Sequence, residues 1–428
     1  MPTRFPMLTL FPCIAALPFS APVMAAERHM PPATAYVRQG DTYIVSVPGM
    51  GIRLTHDGHN EAPLWSPDGR YLTYIKDGKA GHSALCIHDT ETGFRRIVRD
   101  LDTGDGAPDN YRSVAHGALT YIANGSLHIT DYRGTFDRII FRRKGGPRAS
   151  QRVVSARIAP GGGKVAFATI SQSVVADRET YSQVVWLQDL QSQGHPMGPP
   201  RRALASHGHE DAPFIAGWTA DSRHVLAWSK IYYPAGSVNA DGVNLYSIAA
   251  TGTSRPIRIS EPPAGLVLDR EDSLSFAPKG SLVAVTVGAS RSETENKSLM
   301  IFDAASGERR RITWNSDACS APAWSPDGKA IAFLSVRADP EASWIANGAR
   351  IRAWIAAPNG MDAHMLATDA GYGDTRPQWL DRDHIVFGRW RRDSASMDLW
   401  TCDKRGRGLM RIDSEVAEDG YAVRPFSH

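Results

Sequence analysis

Apolar residues along this chain come in short runs, some alternating with polar positions, and the runs are separated by tight clusters of Pro, Gly, Asp and Ser. YLTYIK (71–76), VLAWS (225–229) and AIAFLS (330–335) are typical. Runs of this length, rich in β-branched and aromatic residues and closed off by turn formers, predict β-strands buried between sheets.

The pattern repeats. EAPLWSPDGRYLTYI (61–75) and SAPAWSPDGKAIAFLSV (320–336) agree in order and spacing, and weaker copies start at Val154, Ala212, Asp272 and Thr375. The period, roughly 40 to 60 residues, is that of propeller blades. Ser-Pro-Asp-Gly suits a tight turn, because Pro presets φ at the first central position and Gly supplies positive φ on the way out. Each copy therefore reads as strand, turn, strand. Downstream segments such as SLHITDYRGTFDRII (126–140), LMIFDAASGERRRIT (299–313) and DLWTCDKRGRGLMRI (398–412) supply a third and a fourth strand. Four strands make one blade. Trp65, Trp218, Trp324 and Trp379 fall in the first strands, where a blade that cannot cover both of its faces needs bulk against its neighbour.

Units begin near Glu61, Tyr111, Val153, Asp211, Glu271, Ser320 and Thr375. Residues 35–55 supply three strands without a first one, and 419–426 a strand without followers, so the two chain ends complete each other. The expected fold is an all-β propeller of four-stranded antiparallel blades. The count is eight, with the N- and C-terminal strands sharing one blade, and seven is the alternative if the short unit at 111 merges with a neighbour.

Composition changes this picture little. With 428 residues, 42% hydrophobic and 22% charged, the chain can bury a large core. A net charge of +3 gives no electrostatic case for nucleic acid, and the Arg clusters at 142–144 and 389–392 read as solvated loops. The first residues carry a positive charge, an apolar run interrupted by prolines, and small residues before position 26. This is the pattern of a signal peptide cut near Ala25, followed by a flexible stretch (26–34) and one propeller domain (35–428). The expected location is periplasmic or secreted, since nothing later is apolar enough to span a bilayer. Cys86, Cys319 and Cys402 remain after such a cut. They read as small buried hydrophobes, a disulfide being the other reading, and no Cys-x-x-Cys spacing suggests a metal.

The Trp-Ser-Pro-Asp-Gly unit followed by a basic residue resembles the WD40-like repeat of TolB-type periplasmic β-propellers, shared with the propellers of prolyl-oligopeptidase-like enzymes. The resemblance covers most of the chain beyond residue 35. It implies a propeller that binds an envelope protein or peptide, here as a monomer. The chain departs from TolB in starting its strands about ten residues after the proposed cut, without a preceding α/β domain, and from the peptidases in lacking a Gly-x-Ser-x-Gly elbow.

Residues just before each first strand should meet at the mouth of the channel. HDGHNEAP (56–63), SHGHEDAP (206–213), DREDSL (269–274), NSDACSAP (315–322), YGDTRP (372–377) and AEDGYA (417–422) are acidic there again and again. Glu61, Asp211, Asp272 and Asp419 share one position, with Asp317 and Asp374 nearby, His59, His207 and His209 from two blades, and Arg270 and Arg376 in the same register. Imidazoles and carboxylates converging from separate loops suit a divalent cation or a cationic ligand, with His207, His209 and Asp211 the metal candidates. The same residues also serve as turn caps that accept loop amides. No other cofactor is implied, and no catalytic residue stands out. Long connections at 171–183, 230–242, 288–297 and 336–350, bearing Tyr232, Tyr233 and Trp344, fall on the same face and suit partner contact. The alternative function is a propeller-fold polysaccharide lyase or hydrolase with a His/carboxylate metal site at this mouth.

Overall fold

The computed structural model describes residues 33–425, apart from 79–82, 103–111, 147–148, 176–177, 208–211, 231–243, 253, 260–265, 268–272, 289–296, 314–318, 337–350, 370, 392–395 and 418–419. Residues 31–428 form one compact unit. Among the described residues helix is limited to the turn Ser192–Gly194 and to Ser273, and the remaining regular structure is antiparallel strand.

The strands form meanders in chain order. Asn60–Trp65, Tyr71–Lys76, Ser83–Asp89 and Arg95–Leu101 make one, and a shorter one runs from Arg112–Ala115 to Asp137–Phe141. These two join into one eight-stranded sheet where Leu101 pairs with Ala123. Separate sheets follow over 144–207, 212–258, 266–311, 320–365 and 372–416. The sheet over 266–311 has a first strand in two pieces, Leu266–Val267 and Leu274–Phe276, both against Leu282–Gly288. In a further sheet, separate from these, Thr34–Arg38 pairs on one side with Asp41–Val45 and on the other with Tyr421–Val423, with Tyr36 opposite Tyr421. Residues 171–183, read from sequence as a loop, are instead hairpin: Lys164–Val175 and Arg178–Asp189 pair along their whole length. Val174, Val175 and Thr180 favour strand there.

The repeat chemistry closes the turns. Ser66 donates its hydroxyl to Asp68 and accepts the amide of Tyr71 at 2.9 Å. Ser325 and Thr219 do the same with Asp327 (2.7 Å) and Asp221 (2.6 Å). At the ends of third strands Asp89, Asp303 and Asp403 accept amides of the following turn, at 3.0 Å from Glu91, 2.8 Å from Ala305 and 2.9 Å from Arg405. Short polar side chains thereby satisfy backbone donors that a tight turn leaves unpaired.

The core lies between consecutive sheets. One cluster takes Val154 and Val185 from one sheet, Ile215, Val225 and Leu245 from the next, and Val283 and Val285 from a third. The tryptophans add a directional link. Trp65, Trp218 and Trp379 donate their indole N–H to the carbonyls of Ala422, Arg157 and Ala323 on the preceding sheet, at 3.1, 2.9 and 2.9 Å. Serine hydroxyls supply another: Ser113, Ser155 and Ser275 accept the amides of Ile158, Ile215 and Trp324 on the following sheet, at 3.1, 3.0 and 3.0 Å. Cys86, Cys319 and Cys402 are buried and unbridged.

An antiparallel meander puts its first-to-second and third-to-fourth connections at one end, and the second-to-third and sheet-to-sheet connections at the other. The first will be called the turn end and the second the loop end.

Candidate functional site at the loop end

First strands start at the loop end, and three of them share a kink. Ala62, Ala321 and Arg376 each precede a proline and adopt φ of 48°, 48° and 34°. The strand register slips there, between Glu61 and Leu64, Ser320 and Ala323, and Thr375 and Gln378. A bulge at the start of a strand re-aims the side chains beside it. It also aligns the repeats: Glu61, Ser320 and Thr375 are equivalent, as are Asn60, Cys319 and Asp374 one position earlier.

That offset corrects one expectation. Asn60, Cys319 and Asp374 are all buried, because a shift of one residue along a strand turns the side chain to the opposite face. Asp374, 1% exposed, does not face the mouth. It accepts Arg389 Nε at 3.0 Å, Arg352 Nε at 3.2 Å and the amide of Ala353 at 3.0 Å. Burial pushes its carboxyl up, against the pull of the two guanidinium groups. Arg389, also 1% exposed, reaches Asp369 through Nη1 at 3.0 Å and lies over the Tyr372 ring, 4.4 Å from its centroid. Arg389 was read as part of a solvated cluster. It is instead held inside the strand His384–Arg391 by this ion-pair network, which bolts one sheet to the next. The usable signal was an arginine within an otherwise apolar strand, which is buried only when paired.

Glu61 is exposed at the loop end. Partial desolvation raises its pKa, the Asp77 carboxylate raises it further, and Arg112 opposes both. Arg112 opens the first strand of the following meander and donates to the carbonyl of Ala62. Asp77 donates its amide to the carbonyl of His59 at 2.8 Å and accepts the Ser83 hydroxyl at 3.3 Å. His59 is exposed beside them. Asp57 bonds both Lys76 and Asn60; burial raises its pKa, but these bonds outweigh that and hold the carboxyl below its ordinary value. Arg376 is half-buried with its guanidinium 5.9 Å from the Tyr421 ring centroid, and its carbonyl accepts the Tyr421 hydroxyl at 2.5 Å.

The structure thus brings His59 and Glu61 together with Asp77 and Arg112, which the sequence reading had not singled out. His207 is the last residue of the outer strand Arg201–His207, opposite Ser182. His209, Asp211, Asp272, Asp419, Tyr232, Tyr233 and Trp344 lie outside the described residues. Among the described residues no group of three or more His, Cys, Asp or Glu side chains is placed to hold a metal ion. The exposed Glu61 and Asp77 carboxylates, with buried Arg112 behind them, offer acceptors to a polar ligand such as a peptide N–H or an ammonium group.

No family model matches the chain. A stretch of 64 residues is 36% identical to the Tol-Pal system protein TolB of Alcanivorax borkumensis, and this match spans 15% of each protein. Among solved structures, the dipeptidyl peptidase 4 of Porphyromonas gingivalis is similar over 92% of this chain and 59% of that one, with a TM-score of 0.59 and 10% identity. TolB of Acinetobacter baumannii is similar over 82% of this chain and 80% of that one, with a TM-score of 0.34 and 16% identity. The fold is a β-propeller, and one 64-residue stretch of it is similar to TolB. Among the described residues no helix is long and apolar enough to cross a membrane.

Proposed function

We propose that this protein is an exported, monomeric scaffold of the bacterial periplasm that binds an envelope protein or peptide through its loop end. In this reading the signal peptide is cut near Ala25. The propeller then has eight blades, counting the two joined meanders separately, and the sheet shared by residues 34–53 and 421–423 closes the ring.

The asymmetry between the two ends carries the proposal. Most connections at the turn end are short, the stretch from Asp189 to Arg201 excepted, and several are pinned by Ser, Thr and Asp side chains. The second-to-third connections at the loop end stretch from Lys230 to Asn244, from Gly288 to Ser298 and from Ser335 to Arg352. Chain length invested on one face of a rigid scaffold suits recognition. Glu61, Asp77 and His59 supply exposed polar contacts beside it, and the stretch shared with a Tol-Pal system protein supports a partner in the envelope.

The experiment is photo-crosslinking in cells, with p-benzoylphenylalanine placed at Glu61, Tyr232 or Trp344 and, as controls, at Lys279 or Lys329. The reading expects protein adducts from the first three positions. Adducts confined to the two lysine positions would overturn it.

A further inference from the structure

The turn end carries an unusual set of exposed side chains. Val47, Met50, Ile52, Phe94, Ile97, Met197, Leu282, Met361 and Met410 are the large hydrophobics left exposed among the described residues. All but Ile97 lie at the turn end, in a turn or beside one. Met50 is 68% and Phe94 46% exposed. Val47, Met50 and Ile52 share one connection, and the others each come from a different turn or sheet edge. Val47, Met50 and Ile52 belong to the sheet shared by the two chain ends, Phe94 to the next meander, and Met410 to the sheet on its other side, where Gly49 donates its amide to the carbonyl of Ile412 at 3.0 Å.

Cations stand among these apolar tips. Arg223, Arg255, Lys279, Lys329 and Arg405 are exposed at the turn end, and among the described residues none of them is in an ion pair. Several acids of the same turns are engaged in capping: Asp221 accepts the amide of Arg223 at 3.0 Å and Asp327 that of Lys329 at 3.1 Å. Asp68, Asp221, Asp327, Asp362 and Glu308 are exposed at the same end, and their charges oppose the cations. Separate apolar tips with cations between them, spread over the end of a ring of sheets, match a fluid surface of acyl chains below anionic headgroups better than a groove-binding peptide.

We propose that the turn end rests on an anionic phospholipid bilayer, with Met50 and Phe94 entering the headgroup layer and Lys279 and Lys329 meeting lipid phosphates. The loop end would then face away from the membrane. This rests on the export reading above only for where a bilayer would be met.

The test is flotation of the compact unit 31–428 with phosphatidylglycerol-containing vesicles, with pure phosphatidylcholine vesicles as the neutral control. The chain is expected to float with the anionic vesicles and not the neutral ones. Met50→Asp with Phe94→Asp, and separately Lys279→Glu with Lys329→Glu, should each weaken flotation about tenfold or more. These residues are exposed, so melting curves should stay unchanged. A wild-type chain that never floats, or flotation that survives both double substitutions, overturns the proposal. Neither result bears on the loop-end crosslinks, so the two readings fail separately.

Discussion

Trp379 donates its indole N–H to the carbonyl oxygen of Ala323 at 2.9 Å, across the seam between two consecutive sheets. Trp324 occupies the same place one repeat earlier, yet its indole nitrogen is buried with no acceptor among the described residues. Two tryptophans in one sequence register thus separate packing from hydrogen bonding. Trp379→Phe should cost about 1 kcal/mol more than Trp324→Phe, the net worth of one buried hydrogen bond. Alanine at either position should cost about 3–5 kcal/mol. Urea melts of the four variants check both statements.

Asp374 between Arg352 and Arg389 gives a second comparison. Asp374→Asn removes the carboxylate shared by two buried guanidinium groups, leaving Arg389 with Asp369 alone, and should cost about 3–5 kcal/mol. Replacing all three by Arg352→Met, Asp374→Leu and Arg389→Met should cost less than the single change, because apolar packing removes the desolvation penalty together with the attraction. Thermal melts measured side by side decide it.

Acid stability should carry the signature of Asp89. Burial raises its pKa, but Arg70 and the amides of Glu91 and Thr92 outweigh that and hold it down at about 2. A carboxylate depressed in the folded state stabilises above its unfolded pKa, and that contribution is lost as pH falls through the folded value. The wild type should lose about 2 kcal/mol through this group between about pH 4 and pH 2. Asp89→Asn should be less stable at neutral pH and flatter over that window in pH-dependent urea melts.

The bulge before Pro63 predicts a gain. Ala62 pays for a left-handed φ of 48°, a conformation that costs an L-residue about 1–2 kcal/mol. Ala62→Gly should raise stability by up to about 1 kcal/mol after the loss of chain entropy. Ala62→Val should lower it, since a β-branched residue tolerates positive φ worst. Calorimetry of the two variants reads the sign.

The fold was legible because its turns and seams are written locally. Trp-Ser-Pro-Asp-Gly spells a strand end, a turn whose Ser and Asp bond each other, and the indole that meets the preceding sheet. The hairpin across 171–183 was not legible, since Ser, Gln and Arg at its tip look like loop residues until cross-strand pairing such as Ser173 with Thr180 is in place. At the site, the acidic character before each first strand was visible, but which carboxylates face outward was not. That depends on a bulge of one residue, which leaves Glu61 exposed and turns Asp374 inward. Arg112 and Asp77 were missed for a related reason: each reaches Glu61 from another strand, so no spacing within one repeat records them.

The propeller account rests on the two chain ends sharing one sheet. Ala35 lies directly opposite Ala422, a pairing that sets Cβ atoms about 4.5–5.5 Å apart, within small adjustment of disulfide reach. Ala35→Cys with Ala422→Cys, oxidised in the folded state, should give a cross-linked chain that migrates faster on a denaturing gel and returns to normal mobility with reductant. Cys86, Cys319 and Cys402 are buried and unbridged in the folded protein, so they should not compete. Two thiols that stay free and label with maleimide, with mobility indifferent to reductant, would contradict the shared sheet.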